Sequence, residues 1–161
     1  MTIKSNQNVV YNSTAERITA ARTELGMAGD ITHQIYQSRQ LEPDENQLIK
    51  NFYYSIYHLI KGISIIDTGK EYHSHHALIS YFNRESRKAN FLHGVCVEDL
   101  FRSGLDRLFV LRDQYDYRER YVDEEDYLEA EQLWEKMYPE LENILTALIN
   151  SEGKAPKEDL E

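Results

Sequence analysis

One stretch of the chain concentrates side chains able to grip an anion. Leu111-Arg112-Asp113-Gln114-Tyr115-Asp116-Tyr117 lies where an apolar helical stripe gives way to strongly polar and aromatic residues. A guanidinium is permanently charged and presents planar donors that match a phosphate or a carboxylate. Asp116, four residues after Arg112, sits one helical turn away and can orient it, while Tyr117 can stack on a base or hydrogen-bond to it. The same residues also fit a structural ion pair with an amphipathic tyrosine at a turn, and spacing alone leaves both readings open.

Other chemistries find less support. His73, His75 and His76 invite a metal site, but His75 and His76 are neighbours that point apart on a helix, no H-x-x-x-H pair is present, and Cys96 has no partner cysteine. No metal or other cofactor is expected. Cys96, between Val95 and Val97, reads as a small core residue, and no strand-turn-helix elbow frames a nucleophile. The numerous carboxylates fit solvated helix faces and single out no catalytic pair. Arg84, Arg87, Lys88, Arg102, Arg107 and Arg112 can form a local basic pocket or equally lie on solvated helix faces.

The elements that must position these groups read as helices. Ser13-Thr14-Ala15-Glu16 has the spacing of a capping box, and Ile18, Ala21, Leu25, Ala28, Ile31 and Ile35 continue as one apolar stripe, predicting a helix over about 14–39. Pro43, Asp44 and Glu45 suit the first turn of the next helix. Its apolar positions from Leu48 to Ile66, widened by Tyr53, Tyr54 and Tyr57, predict a central helix that Gly69 ends. A shorter helix is expected over Ser74–Phe82, an irregular stretch over 83–94, a helix over about 95–113 with Gly104 allowing close approach, and a last helix from Asp123 to about 150. Pro139 predicts a kink or break near residue 138 in that last helix. Residues 1–12 read as a flexible arm able to dock through Val9, Val10 and Tyr11, residues 13–150 as one domain, and 151–161 as a disordered acidic tail. These stripes predict an all-α, up-and-down bundle of four to five helices.

Composition narrows the setting. A chain of 161 residues with a single cysteine and no apolar run near the roughly 18 residues of a membrane span points to a reducing cytoplasm. The formal charge of -10 is uneven: residues 113–161 hold 5 Lys/Arg against 16 Asp/Glu, while residues 1–112 are near balance with 13 against 12. That acidic third repels polyphosphate, which disfavours indiscriminate nucleic-acid binding, and DNA is not expected as a partner.

Three segments in order carry a resemblance. Tyr53-Tyr54 with His58, then His75-x-x-Leu78-Ile79-Ser80-x-Phe82, then Arg112-x-x-x-Asp116-Tyr117 resemble a prokaryotic branch of the HEPN superfamily (higher eukaryotes and prokaryotes nucleotide-binding), over about residues 45–150. The resemblance implies a helical homodimer whose cleft joins two copies of the arginine motif. It also implies a place in a toxin-antitoxin or defence module, often beside a small nucleotidyltransferase antitoxin. Many relatives are metal-independent ribonucleases in which R-x(4-6)-H supplies an arginine and a proton-transferring histidine. Here Tyr117 stands where the histidine belongs, and neither its phenol nor Asp116 has a pKa suited to acid-base work near neutrality. Arg87-x(5)-His93 fits that spacing but precedes the motif helix and is read as coincidence.

The leading expectation is a dimer that binds a nucleotide or RNA end through Arg112 and Tyr117, with Asp116 as orienting group. One alternative is a non-catalytic interaction protein whose acidic third recruits a protein partner. Another is a metal-independent endoribonuclease toxin using a displaced histidine, His58, His75 or His93, of which His58 or His75 would act by reaching Arg112 across the bundle.

Overall fold

The computed structural model describes residues 9–41, 44–116 and 121–153. Along the chain, β1 (Val9–Val10) precedes α1 (Thr14–Gln40) and α2 (Glu45–Thr68), which leads through β2 (Lys70–Glu71) to α3 (His75–Glu85). A single 3₁₀ turn (Phe91–His93), α4 (Asp99–Asp116) and α5 (Glu124–Gly153) follow. Among the described residues the fold is thus all-α but for two short strands, which pair antiparallel with Val9 opposite Glu71 and Val10 opposite Lys70.

Local chemistry sets the helix boundaries. The Ser13 hydroxyl accepts from the Glu16 amide at 3.1 Å, the Asp44 carboxylate from the Gln47 amide at 3.3 Å, and the Ser74 hydroxyl from the Ala77 amide at 3.0 Å. Each satisfies a first-turn donor that has no partner within its own helix. Gly69 ends α2 with φ of 74°, and a Cβ there would lie 2.6 Å from the Arg17 guanidinium.

α2 packs against each of the other four helices, because its apolar residues are not confined to one stripe. Phe52, Tyr53, Ile56, Leu59, Ile60 and Ile63 are all buried. The Trp134 indole of α5 donates to the Ser55 hydroxyl of α2 at 2.9 Å inside this core. Close approach is made where side chains are absent. A Cβ on Gly62 would stand 2.7 Å from Leu145, and one on Gly104 would stand 2.8 Å from the Met137 sulfur.

Polar contacts lock the N-terminal segment. The Tyr11 hydroxyl donates to the Glu71 carboxylate at 2.6 Å, and Lys61 meets Glu71 at 2.8 Å and Glu24 at 3.7 Å. Burial alone raises the Glu71 carboxyl pKa, but the bonds from Lys61 and Tyr11 outweigh it and hold the group below the usual carboxylate range. Residues 9–11 are thus tied to β2 by strand pairing and by the Tyr11 hydroxyl, while the Val10 side chain stays 53% exposed.

Five sequence expectations are corrected. α5 runs unbroken through Pro139, because Trp134, Met137, Tyr138, Leu141 and Leu145 are all buried and hold both sides of that position in the core. It also continues through Gly153 and not merely to 150. α3 extends to Glu85, and α4 runs from Asp99 to Asp116, so its start is later and its end a turn further than the apolar stripe implied. Cys96 is exposed, because the irregular chain over 95–98 turns Val97, and in part Val95, toward the core and leaves Cys96 facing outward.

Replacing Ser55 by alanine strands the buried Trp134 N–H, so urea unfolding of S55A should show a loss of about 1–3 kcal/mol. An unchanged midpoint contradicts the structural role of this bond.

Candidate functional site

The extra turn of α4 places Arg112 and Asp116 on one helix, four residues apart, with Nη1 to Oδ2 at 3.3 Å. Arg112 is not at the solvent edge, as a helix-terminal position suggested, but is only 5% exposed. Its guanidinium carbon lies 5.4 Å from the Tyr53 ring, 5.5 Å from Tyr54 and 5.4 Å from Phe109. These distances are within the range where a cation is attracted by an aromatic face, an attraction that strengthens as water is excluded. Phe109 comes from the preceding turn of α4, while consecutive positions 53 and 54 of α2 provide the two tyrosines. Asp116 also meets Lys50 of α2 at 3.4 Å, so two cations face one carboxylate.

His75 joins this cluster from the first turn of α3. Its ring lies 5.6 Å from Tyr53, 5.9 Å from Tyr54, 4.8 Å from Tyr57 and 5.7 Å from Phe109. Nδ1 is 2.7 Å from the Tyr53 hydroxyl. Burial, and then the positive charge of Arg112, lowers the His75 pKa, so the ring is neutral near pH 7. Burial and the neighbouring Tyr57 raise the Tyr53 phenol, which keeps its proton and can donate it to Nδ1. In that arrangement the imidazole carries its own proton on Nε2.

The other candidates are placed differently. His58 turns toward α1, with Nδ1 2.6 Å from Glu24, and the structure does not place it with Arg112. His76 is exposed and packs edge-on against Phe109. Tyr117 lies outside the described residues. Among the described residues no group of three metal-ligating side chains occurs. The basic residues divide by location. Arg107 binds both Glu129 oxygens on α5 at 2.9 and 3.0 Å, Arg84 meets its neighbour Glu85, and Arg102 is tied to both ends of the 86–98 connection.

Sequence reasoning missed the cage itself. Tyr53 and Tyr54 read as widening an apolar stripe, and Phe109 carried no signal beyond its i, i+3 spacing to Arg112. The role of Tyr115 was also missed. Its buried hydroxyl donates to Asp126 at 2.5 Å and accepts from the Asp123 amide at 3.3 Å, pinning the start of α5 against the end of α4.

A family model described as the HEPN domain matches residues 42–144. The chain belongs to the HEPN domain family. No curated protein and no solved structure matches it. The HEPN segment takes in α2, α3, α4 and most of α5, and therefore every described member of the aromatic cluster, while α1 and the paired strand β1 precede it. No helix among the described residues is long and apolar enough to cross a membrane.

The electrostatics give a titration test. In spectra of ring-labelled histidines, His75 should titrate below the usual value of about 6.5, and in Arg112→Gln its midpoint should rise. Because the folded-state pKa is depressed, the associated stability is present above the unfolded value and is lost as pH falls through the folded one. An unshifted midpoint that ignores the Arg112 change contradicts the cluster.

Proposed function

We propose that this HEPN chain is a homodimer that binds a nucleotide or an RNA end at the Arg112 cluster, as one component of a toxin-antitoxin or defence module. The supporting observation is the convergence of Arg112, Asp116 and His75 from two helices on the aromatic surface of a third. Arg112 supplies the charge, Asp116 orients it, and Lys50 offsets Asp116, so the paired groups retain net positive character. His75 and Lys50 are more exposed than Arg112 and are assigned the first contact with a phosphate arriving from solvent. Tyr117 is assigned to the base, either stacking on it or hydrogen-bonding to it. Homodimerisation brings two such clusters together through the exposed side of α4, where Val110 is 49% exposed beside the half-buried Phe109. A small nucleotidyltransferase is the proposed partner protein, and the cytoplasm the proposed compartment.

Calorimetry with a nucleoside monophosphate tests this directly. Arg112→Met keeps the packing volume but removes the charge, and should weaken binding at least about tenfold, or 1.4 kcal/mol. Sedimentation should give twice the chain mass. Equal affinity of wild type and variant, with both folded, contradicts the assignment.

His75 favours a second reading, metal-independent RNA cleavage, because it brings an imidazole to the arginine whose own motif lacks one. A shift of the ring proton from Nε2 to Nδ1, with the Tyr53 oxygen as acceptor, exposes Nε2 as a base. This reading predicts that induced expression in a bacterium arrests growth and degrades RNA, and that His75→Ala relieves both. Normal growth with intact RNA contradicts it.

A further inference from the structure

The connection between α3 and α4 encloses a cavity of about 350 Å³, apart from the Arg112 cluster. Ser86, Arg87 and Lys88 form one wall and Val95, Cys96 and Val97 the other, with Arg102 between them. None of its lining residues is a carboxylate, although the whole chain carries a charge of -10.

Arg102 is the frame of this cavity. It is 8% exposed, donates to the Ser86 and Val97 carbonyls at 3.4 and 3.3 Å, and pairs with Asp99. It thereby ties the end of α3 to the irregular segment that precedes α4. The other two cations face solvent. Lys88 pairs with Glu85 at 2.7 Å, whereas Arg87 forms no ion pair with any described residue. The backbone between the walls is held in an uncommon conformation. Leu92 and His93 have φ of 48° and 61°, values a branched or ring-bearing side chain rarely adopts, followed by Gly94 at 102°. Leu92 is buried, and its core packing retains the strained turn that sets the second wall. Arg87 and His93, whose spacing mimics a ribonuclease motif, are thus a wall residue and a turn residue of one connection.

We infer that this cavity is a second phosphate-binding site, which holds a backbone phosphate of a single-stranded RNA whose terminal nucleotide occupies the Arg112 cluster. The inference rests on the proposed function for its ligand class. Its geometry sets a length requirement. His75 begins α3 and Arg87 follows its end, and the 11 residues of that helix span roughly 16 Å. A single nucleotide does not bridge the two places, whereas roughly five steps of a stacked strand at 3.4 Å each do. Cys96, the single cysteine, lies in the cavity wall and reports its occupancy.

The test compares adenosine monophosphate with a single-stranded oligoadenylate of about twelve nucleotides, long enough to span both places. Each is titrated into wild-type protein and into an Arg87→Gln, Lys88→Gln double variant of these exposed residues. The wild type should hold the oligonucleotide at least tenfold more tightly than the monophosphate, and the double variant should lose that gain while keeping its affinity for the monophosphate. The slope of log affinity against log salt should fall by about 0.7, for the one phosphate that the cavity neutralises. Reaction of Cys96 with a thiol reagent should slow with the oligonucleotide and not with the monophosphate. If the double variant binds the oligonucleotide as tightly as wild type, or Cys96 reacts at an unchanged rate, the second site is overturned while the Arg112 reading stands. Failure of the wild type to bind either probe overturns both.

Discussion

Burying the guanidinium of Arg112 is the constraint on which the site depends. A charge withdrawn from water is costly unless its surroundings replace the lost hydration. Here the replacement comes from three aromatic faces and the Asp116 carboxylate. Those faces must come from two helices in fixed register, so α2 and α4 cannot slide without exposing or stranding the charge. The cluster therefore orders the bundle locally and concentrates a positive field against His75. The fold and the site share one set of contacts.

α2 makes this arrangement possible because it can afford polar tips on an apolar body. Tyr53 buries its ring in the core and offers its hydroxyl to His75. Ser55, two residues on, faces another helix and satisfies Trp134. His58 and Lys61 turn to the acidic contacts of α1 and β2. One helix thus serves four neighbours with different chemistry on each side.

Much of the fold was legible because its signals are local. Ser13 announces a helix start through its own side chain and Gly69 an end through its backbone freedom, whereas Asp44 and Ser74, read as residues inside the first turn, are the caps just before it, and Pro43 lies outside the described residues. The apolar breadth of α2 also marked it as central. Errors arose where distant contacts override a local rule. Pro139 removes a donor, yet buried residues on both sides keep α5 continuous, and Cys96 has apolar neighbours in sequence but lies on an irregular segment that turns it outward. The arginine motif showed which residue carries charge, whereas its burial could not be read, since that depends on tyrosines nearly sixty positions earlier. Likewise, His58 and His75 were equivalent as displaced histidines until packing sent one to Glu24 and the other to Tyr53.

The most direct measurement of this interdependence is a double-mutant cycle in chemical unfolding between Tyr53→Leu and Arg112→Met. The two changes remove the ring and the charge while retaining apolar volume. A favourable coupling of about 0.5–2 kcal/mol is predicted for a desolvated cation on an aromatic face. Strictly additive losses contradict the account.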